Sequence, residues 1–206
     1  MKKLDLRREL KHLYVPSPKQ PVLVDVPPMT FACVDGRGDP NSPDFRIATG
    51  ALYAFSYTIK FLVKKERAID YPVMALEGLW SIKGKADFAE GDFDRREAWL
   101  WTLMIMQPEP ATPDLWPQAL EQAARRGTPG LERLRFETIA EGRAAQILHL
   151  GPYATEPATL TRLHAFIEAQ GLRPRGRHHE IYLGDPRRSA PEKLKTVLRH
   201  PVEPAR

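Results

Sequence analysis

The order of predicted elements repeats within this chain, and this repetition constrains the fold more than any other feature of the sequence. Each half is predicted to run strand, helix, strand, strand, and a glycine, Gly38 or Gly151, follows the first strand of each unit. The first unit has predicted strands at about 29–35, 72–80 and 98–106. The second has predicted strands at about 144–150, 178–183 and 194–200. The pattern predicts an α+β fold of duplicated β-α-β-β units with pseudo-twofold symmetry.

The helix of the first unit has a clear start and one apolar side. Ser42 suits the N-cap, and Pro43 suits the first helical position. Apolar residues then recur at spacings of three and four: Phe45, Ala48, Leu52, Phe55, Ile59 and Leu62. This periodicity predicts one buried stripe along the helix. The second helix, at about 156–170, is predicted to stop at Gly171.

No long Gly/Ser-rich linker interrupts the 206 residues, which favours a single domain spanning 1–206. Within it we expect an N-terminal arm at 1–20 and a first unit at about 21–108. A connecting helix is predicted at about 112–127, and the second unit at about 131–203.

Charge, cysteine count and apolar runs limit the classes of function that the chain could have. The formal charge is +5 and the pI is near 9.4, but the basic residues are scattered rather than clustered, so we expect no specific nucleic-acid partner. Cys33 is the single cysteine, which excludes an intrachain disulfide. The chain has neither a signal-peptide pattern nor a membrane-length apolar run, so we expect cytoplasmic residence without membrane contact. The sequence does not determine the oligomeric state.

The common cofactor and metal motifs are absent from the sequence. It contains no GxxxxGK[ST], GxGxxG after a strand, HExxH, CxxC or GxSxG. His178 and His179 are adjacent, and adjacent strand residues point to opposite faces, so they are poorly placed to bind one ion together. We therefore expect neither a metal nor an organic cofactor.

The segment around Glu180 is the strongest candidate for chemistry. In a strand at 178–183, alternation puts Glu180 and Tyr182 on one face and Ile181 and Leu183 on the other. One interpretation is an ordinary ion pair between Glu180 and Arg175, Arg177 or Arg188. The other is a pocket carboxylate among the aromatic residues of other apolar elements: Tyr53, Tyr57, Trp80, Trp99 and Trp101. A carboxylate among aromatic rings suits a flat or cationic organic ligand.

Several segments of the second unit together resemble the GyrI-like small-molecule-binding domain. They are Gly151-Pro152-Tyr153, His179-Glu180-Ile181-Tyr182-Leu183, Asp185-Pro186 and Pro191-Glu192-Lys193-Leu194-Lys195-Thr196. The resemblance implies an antiparallel sheet with helices on one face, a ligand cleft between the halves, and a buried ligand-facing role for Glu180. Such domains also form the drug-sensing half of multidrug-responsive transcription regulators.

The first unit is similar to a narrower group, the stand-alone cyclopropanoid cyclopropyl hydrolases. The similarity rests on Pro21-Val22-Leu23-Val24-Asp25-Val26-Pro27, Asp35-Gly36-Arg37-Gly38-Asp39-Pro40-Asn41, Leu76-Glu77-Gly78-Leu79-Trp80 and the strand from Trp99 to Pro108. It implies that the chain opens the cyclopropane of DNA-alkylating natural products by adding water, which would protect the cell. In relatives of this group a second aromatic residue often follows the Trp of the LEGLW segment, whereas this chain has Ser81.

On this resemblance Glu180 would orient or deprotonate the water, and Tyr182 would hydrogen bond nearby. The aromatic cage would be formed by Trp80, Trp101, Tyr53, Tyr57 and Trp99. A hydrophobic aromatic small molecule is therefore the expected partner. Two alternatives stay open: a non-catalytic protein that sequesters hydrophobic or cationic drugs, and a ligand-sensing domain like that of a transcription regulator. For the regulator, the residues before 20 are too few for a helix-turn-helix segment, so a DNA-binding partner would be needed.

Overall fold

The structure is a computed structural model that describes residues 1–83 and 95–205. The strands are β1 Lys2–Lys3, β2 Val22–Val26, β3 Met29–Arg37, β4 Ile69–Asp70, β5 Leu76–Ile82, β6 Trp99–Met106, β7 Arg135–Ile139, β8 Gly142–Leu150, β9 Leu172–Pro174, β10 His178–Tyr182 and β11 Lys195–Pro204. The α-helices are α1 Leu6–Glu9, α2 Lys11–Tyr14, α3 Pro43–Arg67, α4 Trp116–Ala124 and α5 Glu156–Ala169.

Nine of the described strands form one antiparallel sheet. Its order is β2-β8-β11-β10-β5-β6-β3-β7, with β9 paired to β11. The units β3-α3-β5-β6 and β8-α5-β10-β11 have the same element order and occupy mirrored positions in the sheet. They meet where β5 pairs with β10, and Glu180 lies directly opposite Gly78 at that junction. The predicted α+β class and the duplication are confirmed.

The long helix α3 begins as the sequence predicts. The Ser42 side chain accepts a hydrogen bond from the backbone N–H of Phe45 at 3.2 Å, and Pro43 is the first helical residue. Ala48, Leu52, Phe55 and Ile59 of the apolar stripe are fully buried. The stripe therefore fixes α3 against the sheet.

Some element boundaries differ from the predictions. The strand expected at about 72–80 begins only at Leu76 and runs to Ile82, because its neighbour β10 ends at Tyr182, opposite Leu76. The connecting helix is shorter than 112–127: a 3-10 turn at Pro113–Leu115 precedes α4.

The two sheet faces are covered by different parts of the chain. Helices α3 and α5 cover the face that carries Glu180. Phe45 of α3 packs on Trp80 there, and Leu163 of α5 packs in a cluster with Leu198 of β11. Helices α1 and α2 of the N-terminal arm cover the other face, where the Tyr14 hydroxyl donates to Glu77 at 2.7 Å.

A buried charged network ties the arm to this second face. His179 lies between two carboxylates, with Nε2 at 2.9 Å from Glu77 and Nδ1 at 3.0 Å from Glu141. Arg199 donates to Glu141 at 3.1 Å and to the Leu13 carbonyl of the arm at 2.7 Å. The two carboxylates are thus balanced by two cations, which is what makes their burial tolerable.

Cys33 is fully buried in β3, and burial raises the pKa of its thiol to about 12. It is therefore a core residue without nucleophilic character.

Within the described residues, none of the helices combines the length and apolar character needed to cross a membrane.

Candidate functional site

A hydrogen-bonded chain of three side chains forms the centre of the candidate site. The Trp80 indole N–H donates to the Tyr182 hydroxyl at 2.8 Å, and the Tyr182 hydroxyl donates to Glu180 Oε2 at 2.7 Å. The chain crosses the junction of the two units, since Trp80 lies on β5 and the other two residues lie on β10. Because the Tyr182 oxygen accepts from Trp80, its own proton is directed at the carboxylate.

Gly78 makes this contact possible. A Cβ at this position would lie 2.6 Å from Trp80 Nε1 and 3.1 Å from the Tyr182 hydroxyl. Those distances are below normal van der Waals contact. The glycine of the LEGLW segment therefore leaves the space in which the indole reaches the phenol.

The other oxygen of Glu180 faces a histidine. His178 Nε2 lies 3.2 Å from Glu180 Oε1, and His178 Nδ1 lies 3.2 Å from His200 Nε2 on β11. Two of the arginines considered as ion-pair partners of Glu180 bond elsewhere. Arg175 donates to the Glu141 carbonyl, and Arg177 donates to Thr102.

A second carboxylate, Glu156, lies near Glu180. It is in the first turn of α5 and is only 5 % exposed. Burial, followed by the negative charge of Glu180, raises the pKa of Glu156 well above its usual value. These two effects favour the protonated, neutral form of Glu156. The sequence analysis missed Glu156, since an acidic residue in a first helical turn is ordinary.

Three tryptophans meet on the same face, together with Phe45. The Phe45 ring stacks on Trp80, with centroids 6.0 Å apart, and meets Trp101 edge-on at 5.2 Å. Trp99 meets Trp80 edge-on at 5.5 Å. Trp80 and Trp101 are only 4 % and 1 % exposed, and the Trp101 ring lies so close over Gly36 that no Cβ would fit there. Sequence reasoning placed Phe45 in the helix stripe and missed this second role.

Of the tyrosines on the helices and turns, Tyr153 lies next to the Glu180 chain, whereas Tyr53 and Tyr57 form a separate pair on α3. The Tyr153 ring meets Tyr182 edge-on at 5.9 Å, and burial followed by the charges of Glu156 and Glu180 raises its pKa to about 12. Tyr53 is half-buried on α3, with its ring 6.3 Å from that of Tyr57, which is 48 % exposed. Tyr57 is thus the outermost of the predicted cage residues. Tyr153 was part of a motif but was not among the predicted site residues.

Ser81 does not bear on this cluster. It alternates with Trp80 along β5 and pairs with Leu100 of β6, so it lies on the opposite face of the sheet. Its small side chain therefore removes no ring from the face that carries Glu180.

The arrangement combines a partly accessible base with flat apolar walls. The Glu180 side chain is 14 % exposed, more than Trp80 or Trp101. Among the residues that the structure describes, no three His, Cys, Asp or Glu side chains form a group that could hold a metal ion. The chemistry such a site can support is orientation of water, proton transfer and stacking on a planar ligand.

The chain belongs to the GyrI-like family. The family model described as GyrI-like small molecule binding domain matches residues 19–203. A comparison with curated proteins gave no match.

Three similar structures come from Listeria innocua. An uncharacterised conserved protein is 38% identical, with a TM-score of 0.86, and the match covers 98% of this chain and 100% of that one. Two proteins described as hydrolases are 34% and 37% identical, with TM-scores of 0.83 and 0.85 and the same coverage. The C-terminal domain of EcmrR is 13% identical, with a TM-score of 0.56 over 90% of this chain and 98% of that one, which shows a shared fold alone.

Proposed function

We propose that this protein is a hydrolase that adds water to the cyclopropane of planar, DNA-alkylating natural products. The observation that carries the proposal is the Trp80, Tyr182 and Glu180 chain, which presents an oriented carboxylate beside aromatic rings. Two of the similar Listeria innocua structures are described as hydrolases, which supports water as the second reactant.

The proposed reaction needs one bond to form and one to break. The water oxygen attacks the cyclopropane methylene, the carbon–carbon bond to that methylene breaks, and its electron pair moves onto the conjugated dienone. The ring becomes aromatic and its oxygen becomes a phenolate. Ring strain and aromatisation supply driving force, so the protein has to position the reactants and manage protons and charge.

Glu180 is the proposed base. Its Oε2 accepts the Tyr182 proton, which holds the carboxylate in one orientation, and its exposed edge would face the ligand. It would accept a proton from the attacking water. Glu156, whose surroundings favour the protonated form, is the proposed source of a proton for the phenolate.

The aromatic side chains would hold the planar substrate. Tyr53, Tyr57 and Trp99 offer exposed or half-exposed ring surface, whereas Trp80 is nearly covered. Trp101 is packed between Gly36 and Phe45, so it would back the wall and reach a ligand only after Phe45 moves. Each well-formed ring pair contributes about 0.5–1.5 kcal/mol beyond its buried area.

The test is incubation of the purified protein with a cyclopropane-containing alkylator, followed by mass spectrometry for a product heavier by one water. Glu180→Gln keeps the shape but removes the base, so turnover should fall about 100-fold or more. Binding of a neutral substrate should change far less. Glu192→Gln makes the same chemical change at an exposed surface position and should leave turnover unchanged. Wild-type turnover in Glu180→Gln would eliminate the proposed role of this carboxylate.

A second candidate is capture of aromatic cations without turnover. Glu180 and Glu156 lie together among aromatic rings, and a cation entering there would gain both charge pairing and ring contact. Tryptophan fluorescence during titration with ethidium tests this candidate. Quenching that is lost in Glu180→Gln, without any hydrated product from a cyclopropane substrate, would favour it.

A further inference from the structure

A row of histidines leads away from Glu180 into the second unit. His178 on β10 contacts Glu180 through Nε2 and His200 on β11 through Nδ1, each at 3.2 Å. The His200 ring meets the ring of His164 on α5 edge-on, with centroids 5.1 Å apart. His164 lines a surface cavity of about 400 Å³ together with Leu172 and Arg173. The row therefore runs from the carboxylate to the surface.

We propose that His178, His200 and His164 form a proton relay that carries the proton taken up by Glu180 to the surface cavity during turnover. This inference rests on the proposed function, because it assigns an exit to the proton that hydrolysis delivers to Glu180. The three residues are relay residues and need not touch the substrate.

The site needs such an exit while a ligand is bound. Glu180 reaches solvent through a small exposed edge, and a planar ligand stacked beside the carboxylate would cover that edge. The Tyr182 hydroxyl offers no path, since its oxygen accepts from the buried Trp80 indole. His178 is the remaining contact of the carboxylate in the described structure, and it leads away from the ligand side.

The relay balances at every step. Protonated Glu180 gives its proton to His178 Nε2, while His178 Nδ1–H gives its proton to His200 Nε2. His200 then releases the proton on its own Nδ1 to His164, whose ring it contacts, and His164 releases the proton on its other nitrogen to water in the surface cavity. Every imidazole ends neutral with its proton on the other nitrogen, and rotation of the rings resets the row. Glu156, which gave its proton to the phenolate, regains one from solvent when the product leaves, so the cycle closes without an oxidant, reductant or co-reactant.

The surroundings of His200 favour transfer of a proton through a neutral ring over a protonated, charged imidazole. Burial, followed by the proximity of His178, His164 and His179, holds its pKa well below the usual value. A neutral imidazole with one donor and one acceptor nitrogen suits transfer by tautomer exchange. The cavity beside His164 is large enough to hold water, which would receive the proton.

The competing explanation is that the histidines only pack and hydrogen bond. His200→Gln distinguishes the two, because the glutamine amide can hydrogen bond near the former Nε2 position but cannot pass a proton. If the relay operates, kcat of His200→Gln falls about tenfold or more while substrate Kd is unchanged. His164→Gln also slows turnover, and added imidazole, which can enter the surface cavity, restores its rate. His149→Asn is the matched control, since His149 is also buried but bonds to Thr159.

Wild-type kcat in His200→Gln or in His164→Gln would overturn the relay, as would a slowed His164→Gln that imidazole does not restore. A second measurement does not depend on turnover or on the variants folding. In ¹⁵N-labelled wild-type protein, an N–H···N bond between His178 and His200 gives a scalar coupling across the hydrogen bond. Its absence would overturn the relay even if hydrolysis is confirmed. Absence of hydrolysis in a protein that shows the coupling would instead reject the proposed function.

Discussion

Substitution of Gly78 by alanine should break the contact on which the candidate site is built. The added Cβ would lie 2.6 Å from Trp80 Nε1. Carbon contacts are comfortable at about 3.5 Å, so the indole would have to retreat by about 0.9 Å. Trp80 is packed against Phe45 and Trp99, which restrict a pivot that would keep its 2.8 Å bond to Tyr182. We expect the bond to be lost.

The cost of this substitution can be estimated from its parts. Overpacking costs about 1–3 kcal/mol, and the lost hydrogen bond costs about 1 kcal/mol. Replacing glycine restores about 0.4–1 kcal/mol by restricting the unfolded chain. The net loss in free energy of unfolding is about 2 kcal/mol, which corresponds to a fall in Tm of about 4–8 °C for a chain of this size.

Urea unfolding and thermal melts measure the loss, and the Trp80 indole N–H resonance reports the hydrogen bond directly through its exchange with solvent. Gly50→Ala is the control, because Gly50 is in α3 and the described residues leave open space around its Cβ position. It should stabilise the protein by about 0.5–1 kcal/mol. The reasoning fails if Gly78→Ala is as stable as wild type and its Trp80 N–H stays protected.

Three further predictions concern the rest of the molecule. The two carboxylate partners of His179 raise its pKa to about 9, so the stability that it contributes is complete below about pH 6.5 and is lost as pH rises through 9. The pKa of Glu141 is lowered to about 2, so the stability that it contributes is complete above about pH 4.5 and is lost as pH falls towards 2. Urea unfolding should therefore give the highest stability between about pH 4.5 and 6.5, and His179→Gln should remove the alkaline decline. Cys33 should resist a thiol reagent in the native protein and react on unfolding, and rapid native labelling would contradict its burial. Despite the pI near 9.4, the protein should form no sequence-specific complex with duplex DNA at physiological salt in a mobility-shift assay.

Local patterns were sufficient to predict the elements and one part of the site. The N-cap at Ser42 and the spacing of the apolar stripe define α3 without reference to the rest of the chain. Alternation along 178–183 places Glu180 beside Tyr182, and the structure has a hydrogen bond between them. Both inferences depend only on helix and strand periodicity, which sequence spacing records directly.

The remaining partners depend on contacts between distant elements. Glu156 and Tyr153 approach Glu180 only because α5 and the turn before it fold back over β10. His200 meets His178 through the pairing of β10 with β11. A one-residue shift in this pairing would turn His200 to the other face of the sheet. No local spacing in the sequence specifies that register, so these residues could not be identified in advance.

The two faces of β10 make different contacts because the strand lies at the junction of the two units. His179 faces the N-terminal arm and is held by Glu77 of β5, while Glu180 faces the helices and reaches Trp80 of β5 through Tyr182. Both faces of the strand are therefore tied to the same neighbouring strand. Any separation of the units that moved Trp80 away from Glu180 would also have to break the buried His179 pair. Breaking a buried charge pair is costly, about 3–5 kcal/mol. The charged network behind the sheet thus restrains the geometry of the candidate site in front of it.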